Sequence, residues 1–156
     1  MNTQIGISPD NLADVAHALN SLLADEFLLY TKTANAHWNV AGADFYNMHL
    51  FFETQFRTLG RLVDHVADCI HTLGSYAPAT LKSILALTHL SEIPLEKNTS
   101  GDFIKALLND HESLIIHLRE NIGYFNDLRD FGTNDFITGL METHEKMDWM
   151  LRAHLE

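Results

Sequence analysis

The chain has 156 residues, 46% of them apolar, enough for a single domain with a sizeable core and too many for a disordered segment. Its 21 acidic and 10 basic side chains give a formal net charge of −11, a field that repels nucleic acid and draws cations. No apolar run nears the roughly 20 residues of a membrane span, Met1 to Asp10 shows no leader pattern, and the single Cys69 excludes an intrachain disulfide and fits a reducing, cytoplasmic setting.

Four long segments carry helical periodicity, and none shows sustained strand-like alternation. The first opens at Ser8-Pro9, with Ser8 as N-cap and Pro9 at the first helical position. Its apolar face runs Leu12, Val15, Leu19, Leu22, Leu23, Phe27, Tyr30 and Ala34, and it ends near Gly42. The second runs from about Asp44 to Leu73-Gly74 on a stripe of Phe45, Met48, Phe52, Phe56, Leu59, Leu62, Val63, Val66 and Ile70. A less regular stretch follows, punctuated by Pro78 and Pro94, in which Thr80 to Leu87 fits one short helix. The third long helix begins near Ser100 to Asp102 and stops at a turn near Gly132; the fourth runs from about Thr133 to the end. The expectation is one all-α domain over residues 1–156, a ferritin-like four-helix bundle with a short extra helix between the second and third long helices.

Ten histidines beside 21 carboxylates form the ligand palette of borderline divalent metals. The intra-bundle di-iron site of ferritin-like folds uses Glu-x-x-His on two helices. No Glu of this chain has a His three residues later, so a metal site must be sought elsewhere. On the second helix, His49 and Glu53 form one i, i+4 pair and Asp64 and Asp68 another, all within an arc of roughly 100° beside the core stripe. His37 lies at the end of the first helix, within reach of the same face. Glu53 and Asp64 are about 16 Å apart along one axis, too far to share an ion. Two antiparallel copies of the helix bring the pairs together, because His49 with Asp68 and Glu53 with Asp64 share one midpoint between Thr58 and Leu59. Gly60 beside it permits close approach. A two-fold interface of this kind makes two identical sites, each with His37, His49 and Glu53 from one subunit and Asp64 and Asp68 from the other. Mixed imidazole and carboxylate donors suit iron. The same acids also suit a solvated helix face, and spacing alone does not separate the two.

The stretch His37-Trp38-Asn39-Val40, then Phe45-Tyr46 and His49, resembles the Dps family, the mini-ferritins named as DNA-binding proteins from starved cells. The likeness covers nearly the whole chain, including Trp149-Met150-Leu151-Arg152-Ala153 near the end. It implies a cytoplasmic dodecameric shell built from two-fold dimers, a ferroxidase that oxidises Fe(II), usually with hydrogen peroxide, and storage of ferric mineral in iron homeostasis under oxidative stress. Dioxygen is the other oxidant. The family's inter-subunit iron ligands carry over onto His37, His49, Glu53, Asp64 and Asp68. The family commonly has Asp at the position of Glu53 and Glu at that of Asp68, so the two lengths are exchanged here; it often has an acid where Leu50 stands. The resemblance gives Trp38 a role in electron transfer beside the iron, alongside packing. It places acids of the turn before the fourth helix, with Asp130 and Asp135 foremost, at a pore for iron; a capped loop with solvated acids is the other reading. Trp149 reads as packing and Cys69 as inert. His17, His65, His71, His89, His111, His117, His144 and His154 read as surface or satisfied core residues. Two other functions remain: a DNA-compacting module, disfavoured by the charge and by the absence of Lys and Arg from Met1 to Asn11, and a shell without enzyme activity.

Overall fold

A computed structural model of the chain describes residues 3–92 and 97–156; Pro94 lies outside them. Five helices follow in order: α1 (Pro9–Asn39), α2 (Phe45–Thr72), α3 (Leu81–Leu87), α4 (Ser100–Asp127) and α5 (Phe131–Arg152). Among the described residues there is no strand, only an isolated bridge between Ala41 and Thr99. Among the described residues no helix is long and apolar enough to cross a membrane.

Local chemistry sets the helix starts. Ser8 accepts from the Asn11 amide and Pro9 opens α1, which satisfies an amide the helix cannot. The Asn11 side chain also donates to the Leu128 carbonyl at 3.2 Å, tying α1 to the turn between α4 and α5. Thr80 and Ser83 form a reciprocal capping box on α3. Thr99 caps α4 and Asp130 caps α5.

The short α1–α2 and α4–α5 turns make two antiparallel hairpins. They pack with α1 against α4 and α2 against α5, while α3 lies on α1. Phe52, Leu59 and Ile70 of α2 and Phe125, Leu114 and Leu118 of α4 are fully buried at the centre. Each such side chain contributes about 1.5–3 kcal/mol by leaving water.

Four sequence expectations need correcting. Phe45, placed on the α2 stripe, is 45% exposed. On α1, Phe27 and Tyr30 are only half-buried and Leu28 and Leu29 are buried instead, because α1 is covered by α2, α3 and α4 and its apolar arc is wider than one stripe. The turn after α4 spans residues 128–130, and Gly132 lies inside α5. Trp149 is 64% exposed on the outer face of α5 and packs into no core of this chain.

Candidate metal centre

His37 sits in the last turn of α1 and His49 near the start of α2. Gly42, at φ 135°, helps turn the chain between them. His37 Nδ1 lies 2.8 Å from the His49 carbonyl, and His49 Nδ1 lies 2.7 Å from the His37 carbonyl. A carbonyl oxygen only accepts, so both Nδ1 atoms carry the proton. In the neutral rings this leaves each Nε2 with its lone pair, the state a metal requires. The rings stack with centroids 3.9 Å apart. Phe56 lies 5.0 Å from the His37 ring and Phe45 5.3 Å from the His49 ring. Two helix ends thus hold two imidazoles by reciprocal bonds, so neither ring needs a metal to be oriented.

Glu53 stands one turn beyond His49. Its Oε1 accepts from Arg57 Nε at 2.9 Å and Nη2 at 2.6 Å. That bond holds the Glu53 carboxyl below the usual carboxylate range against the effect of desolvation; the Arg57 charge acts the same way, as would protons on His37 and His49. Glu53 therefore lies within the field of both rings.

The remaining predicted residues stand apart. Asp64 and Asp68 are exposed on the same helix, about 16 Å or more beyond Glu53, so within one chain His37 and His49 pair, Glu53 stands one turn along α2, and the two aspartates lie apart. Asp68 borders a shallow cleft with His65, Cys69 and Asp130. Burial pushes the Cys69 thiol up, consistent with an inert group. Trp38, next to His37 in sequence, is 70% exposed, and Tyr46 and Leu50, near His49 in sequence, are also exposed, Tyr46 at 71%.

Gly60 makes a close contact within the chain. A Cβ there would stand 3.3 Å from the Tyr30 ring, so the missing side chain makes room for α1 of the same chain. Asp130 is not a free pore acid: it is 4% exposed, and its two oxygens accept from the Thr133 amide at 3.0 Å and hydroxyl at 2.6 Å. Asp135 is exposed.

Two groupings escaped sequence reasoning. Asp25, His89 and His117 come together between α1, α4 and the segment after α3. Glu26, His144 and His111 form a fully buried chain inside the bundle. The one sequence signal for either is Asp25-Glu26, two acids set in the apolar run from Leu22 to Leu29.

A family model described as the ferritin-like domain matches residues 16–156. A low temperature-induced protein of Nostoc sp. is 37% identical over 153 residues, covering 97% of this chain and 86% of that one. DNA protection during starvation protein 2 of Bacillus anthracis is 30% identical over 141 residues, covering 90% of this chain and 96% of that one. Among solved structures, Mycobacterium smegmatis Dps superposes with a TM-score of 0.94 at 29% identity, covering 100% of this chain and 95% of that one. The Dps protein of Vibrio cholerae, described as a member of a broad superfamily of ferritin-like diiron-carboxylate proteins, superposes at 0.93 with 26% identity over the full length of both. By sequence match and by fold, this chain belongs to the Dps family of ferritin-like proteins.

Proposed function

We propose that this chain is a cytoplasmic iron-storage protein that forms a closed homo-oligomeric shell, a dodecamer, and oxidises ferrous iron at sites completed across a two-fold axis. Membership of a ferritin-like family supports iron storage as the general function. The observation that carries the finer reading is the His37–His49 pair, whose reciprocal carbonyl bonds leave two oriented Nε2 lone pairs next to Glu53.

In this reading His37, His49 and Glu53 bind ferrous iron from one side, and Asp64 and Asp68 of a second copy bind from the other. The exposed rim of Trp38, Tyr46 and Leu50 is what the second copy covers, since uncovered apolar patches mark interfaces. Three carboxylates offset the charge gained when iron goes from ferrous to ferric, and so favour the oxidised ion. With hydrogen peroxide as oxidant, two ferrous ions each give up one electron, the O–O bond breaks, and two protons complete two waters. Trp38 stands beside a ligand and serves as an electron relay. The net charge of −11 draws the cation and repels DNA, so DNA compaction is not part of this function.

Single-turnover iron oxidation under peroxide tests the reading. His49→Ala removes one Nε2 and the ring that stacks on His37, while the carbonyl that His37 donates to stays, and is expected to slow the reaction at least tenfold, by analogy with the roughly 10–100-fold cost of disturbing metal-site partners. Oxidation by the correctly assembled His49→Ala protein at the wild-type rate would overturn it.

A further inference from the structure

We infer that Asp25, His89 and His117 form a second divalent-cation site, of the zinc class, separate from the histidine pair at the end of α1. A cleft of about 340 Å³ opens between α1, α4 and the residues that follow α3; its lining includes His17, Ser21, Asp25, His89, His117 and Glu120. One ligand atom from each of Asp25, His89 and His117 lies within 4.8 Å of the others. A tetrahedral zinc site with bonds of about 2.0–2.1 Å sets its ligand atoms about 3.3 Å apart. Small side-chain rotations close that gap.

The carboxylate is held in place before any ion arrives. Asp25 is 1% exposed. Its Oδ1 accepts from the Thr88 hydroxyl at 2.7 Å and the His89 amide at 2.6 Å, and Oδ2 lies 3.1 Å from His89 Nδ1. The His89 and His117 rings are 4.6 Å apart. His117 Nδ1 is buried yet has no hydrogen-bond partner. Leaving such an atom unpaired costs about 1–3 kcal/mol, and a cation in the cleft is one way that cost is removed. The arrangement therefore holds an oriented carboxylate, an exposed imidazole beside it and a buried imidazole nitrogen without a hydrogen-bond partner.

The donor set selects the ion. Two imidazoles and one carboxylate suit zinc or a similar borderline metal, and calcium and magnesium prefer oxygen alone. Water, His17 or Glu120 at the rim of the cleft completes four-coordination. The site is independent of the iron reading: Asp25 precedes His37 by twelve residues, about 18 Å along α1 and on a different face. A bound ion ties α1, α4 and the segment after α3 into one unit, so its physical effect is to clamp that connection.

The test uses the assembled protein with His37→Ala and His49→Ala, which disables the other site. Zinc ions alone are titrated calorimetrically, and thermal unfolding is followed with and without zinc. About one zinc per chain and a rise in Tm are expected. Adding His89→Ala, at a half-exposed side chain that the fold does not need, should weaken binding at least about tenfold and abolish the rise; His117→Phe should do the same. In crystals soaked with zinc, anomalous scattering should place the ion beside Asp25. No zinc binding in the two-histidine background, or equal binding and equal Tm rise after His89→Ala, overturns the site. Neither result touches the iron reading, whose two histidine ligands are absent throughout.

Discussion

Gly74 and Arg129 occupy the same position in the same helix-ending motif. After α2, the Gly74 amide donates to the His71 carbonyl at 3.0 Å and the Ser75 amide to the Ile70 carbonyl at 3.3 Å; after α4, the Arg129 amide donates to Asn126 at 3.0 Å and the Asp130 amide to Phe125 at 3.1 Å. Both are Schellman endings, which place the residue after the cap in the left-handed region. Gly74 has φ 83° and Arg129 φ 63°. A side chain there costs about 1–2 kcal/mol, and glycine returns about 0.4–1 kcal/mol of that through the freedom of the unfolded chain. Arg129→Gly is therefore expected to stabilise the protein by about 0.5–1 kcal/mol, measured as a higher urea midpoint at unchanged slope. An unchanged or lower midpoint would show that the arginine side chain makes up for its backbone.

The same pair shows what the sequence can and cannot carry. The end of α2 is legible because glycine marks it; the end of α4 is not, because arginine stands where glycine is usual, and the nearest glycine, Gly132, lies inside the next helix. Helix starts at Ser8-Pro9 and Thr80 are legible because caps act over three residues. The meeting of His37 and His49 is legible because one short turn joins the two helices that carry them. Asp25 with His89 and His117, and Glu26 with His144 and His111, lie on separate segments whose meeting depends on how the hairpins pack. No local spacing encodes that.

The buried chain inside the bundle gives a prediction about acid. His144 Nε2 lies 2.7 Å from Glu26 Oε1, and His144 Nδ1 lies 2.9 Å from His111 Nδ1. All three residues are fully buried. Burial, and secondarily the charge of His144, holds His111 well below the usual histidine range. The unfolded chain protonates this ring near pH 6.5 and the folded chain does not, so below that pH the unfolded state binds the extra proton. The stability contributed by neutral His111 is present above about pH 6.5 and is lost as pH falls below it, by about 1.4 kcal/mol per pH unit. Urea unfolding at pH 7.5 and at pH 5.5 measures the slope. His111→Phe should flatten it, at some cost in stability at neutral pH because His144 Nδ1 loses its partner. An equal slope in the variant would place the acid sensitivity elsewhere.

Arg57 grips the carboxylate that the iron reading assigns as a ligand. Its guanidinium is the main reason the Glu53 carboxyl stays low, and the same positive charge repels an arriving cation. Arg57→Ala removes both effects. Glu53 then protonates at a higher pH, so the acid limb of ferrous binding should move toward neutrality. At pH 7, where the carboxylate is ionised in either protein, ferrous binding should tighten by a few-fold as repulsion is lost. The side chain of Arg57 is largely exposed, so the fold should be unaffected. Calorimetric titration of ferrous iron without oxygen, at several pH values, measures both. An acid limb that does not move would separate Glu53 from the metal.

The assignment of ligands to different subunits can be tested by mixing. His49→Ala damages the imidazole half of a site, and Asp64→Ala with Asp68→Ala damages the acidic half. Each variant alone has only broken sites. In a mixed two-fold dimer the lesions fall unequally. One site receives His49→Ala from the first chain and both acid deletions from the second. The other takes His37, His49 and Glu53 from the second chain and Asp64 and Asp68 from the first, all intact. Random co-assembly of equal amounts makes half the dimers mixed, so about a quarter of all sites should be whole. Peroxide-driven iron oxidation should then recover toward about a quarter of the wild-type amplitude, where neither variant shows any. Sites built within one chain cannot be rescued in this way, because every chain in the mixture carries a lesion. Mass spectrometry verifies the mixed assembly, and verified mixed dimers that oxidise no more iron than the separate variants would sink the shared site.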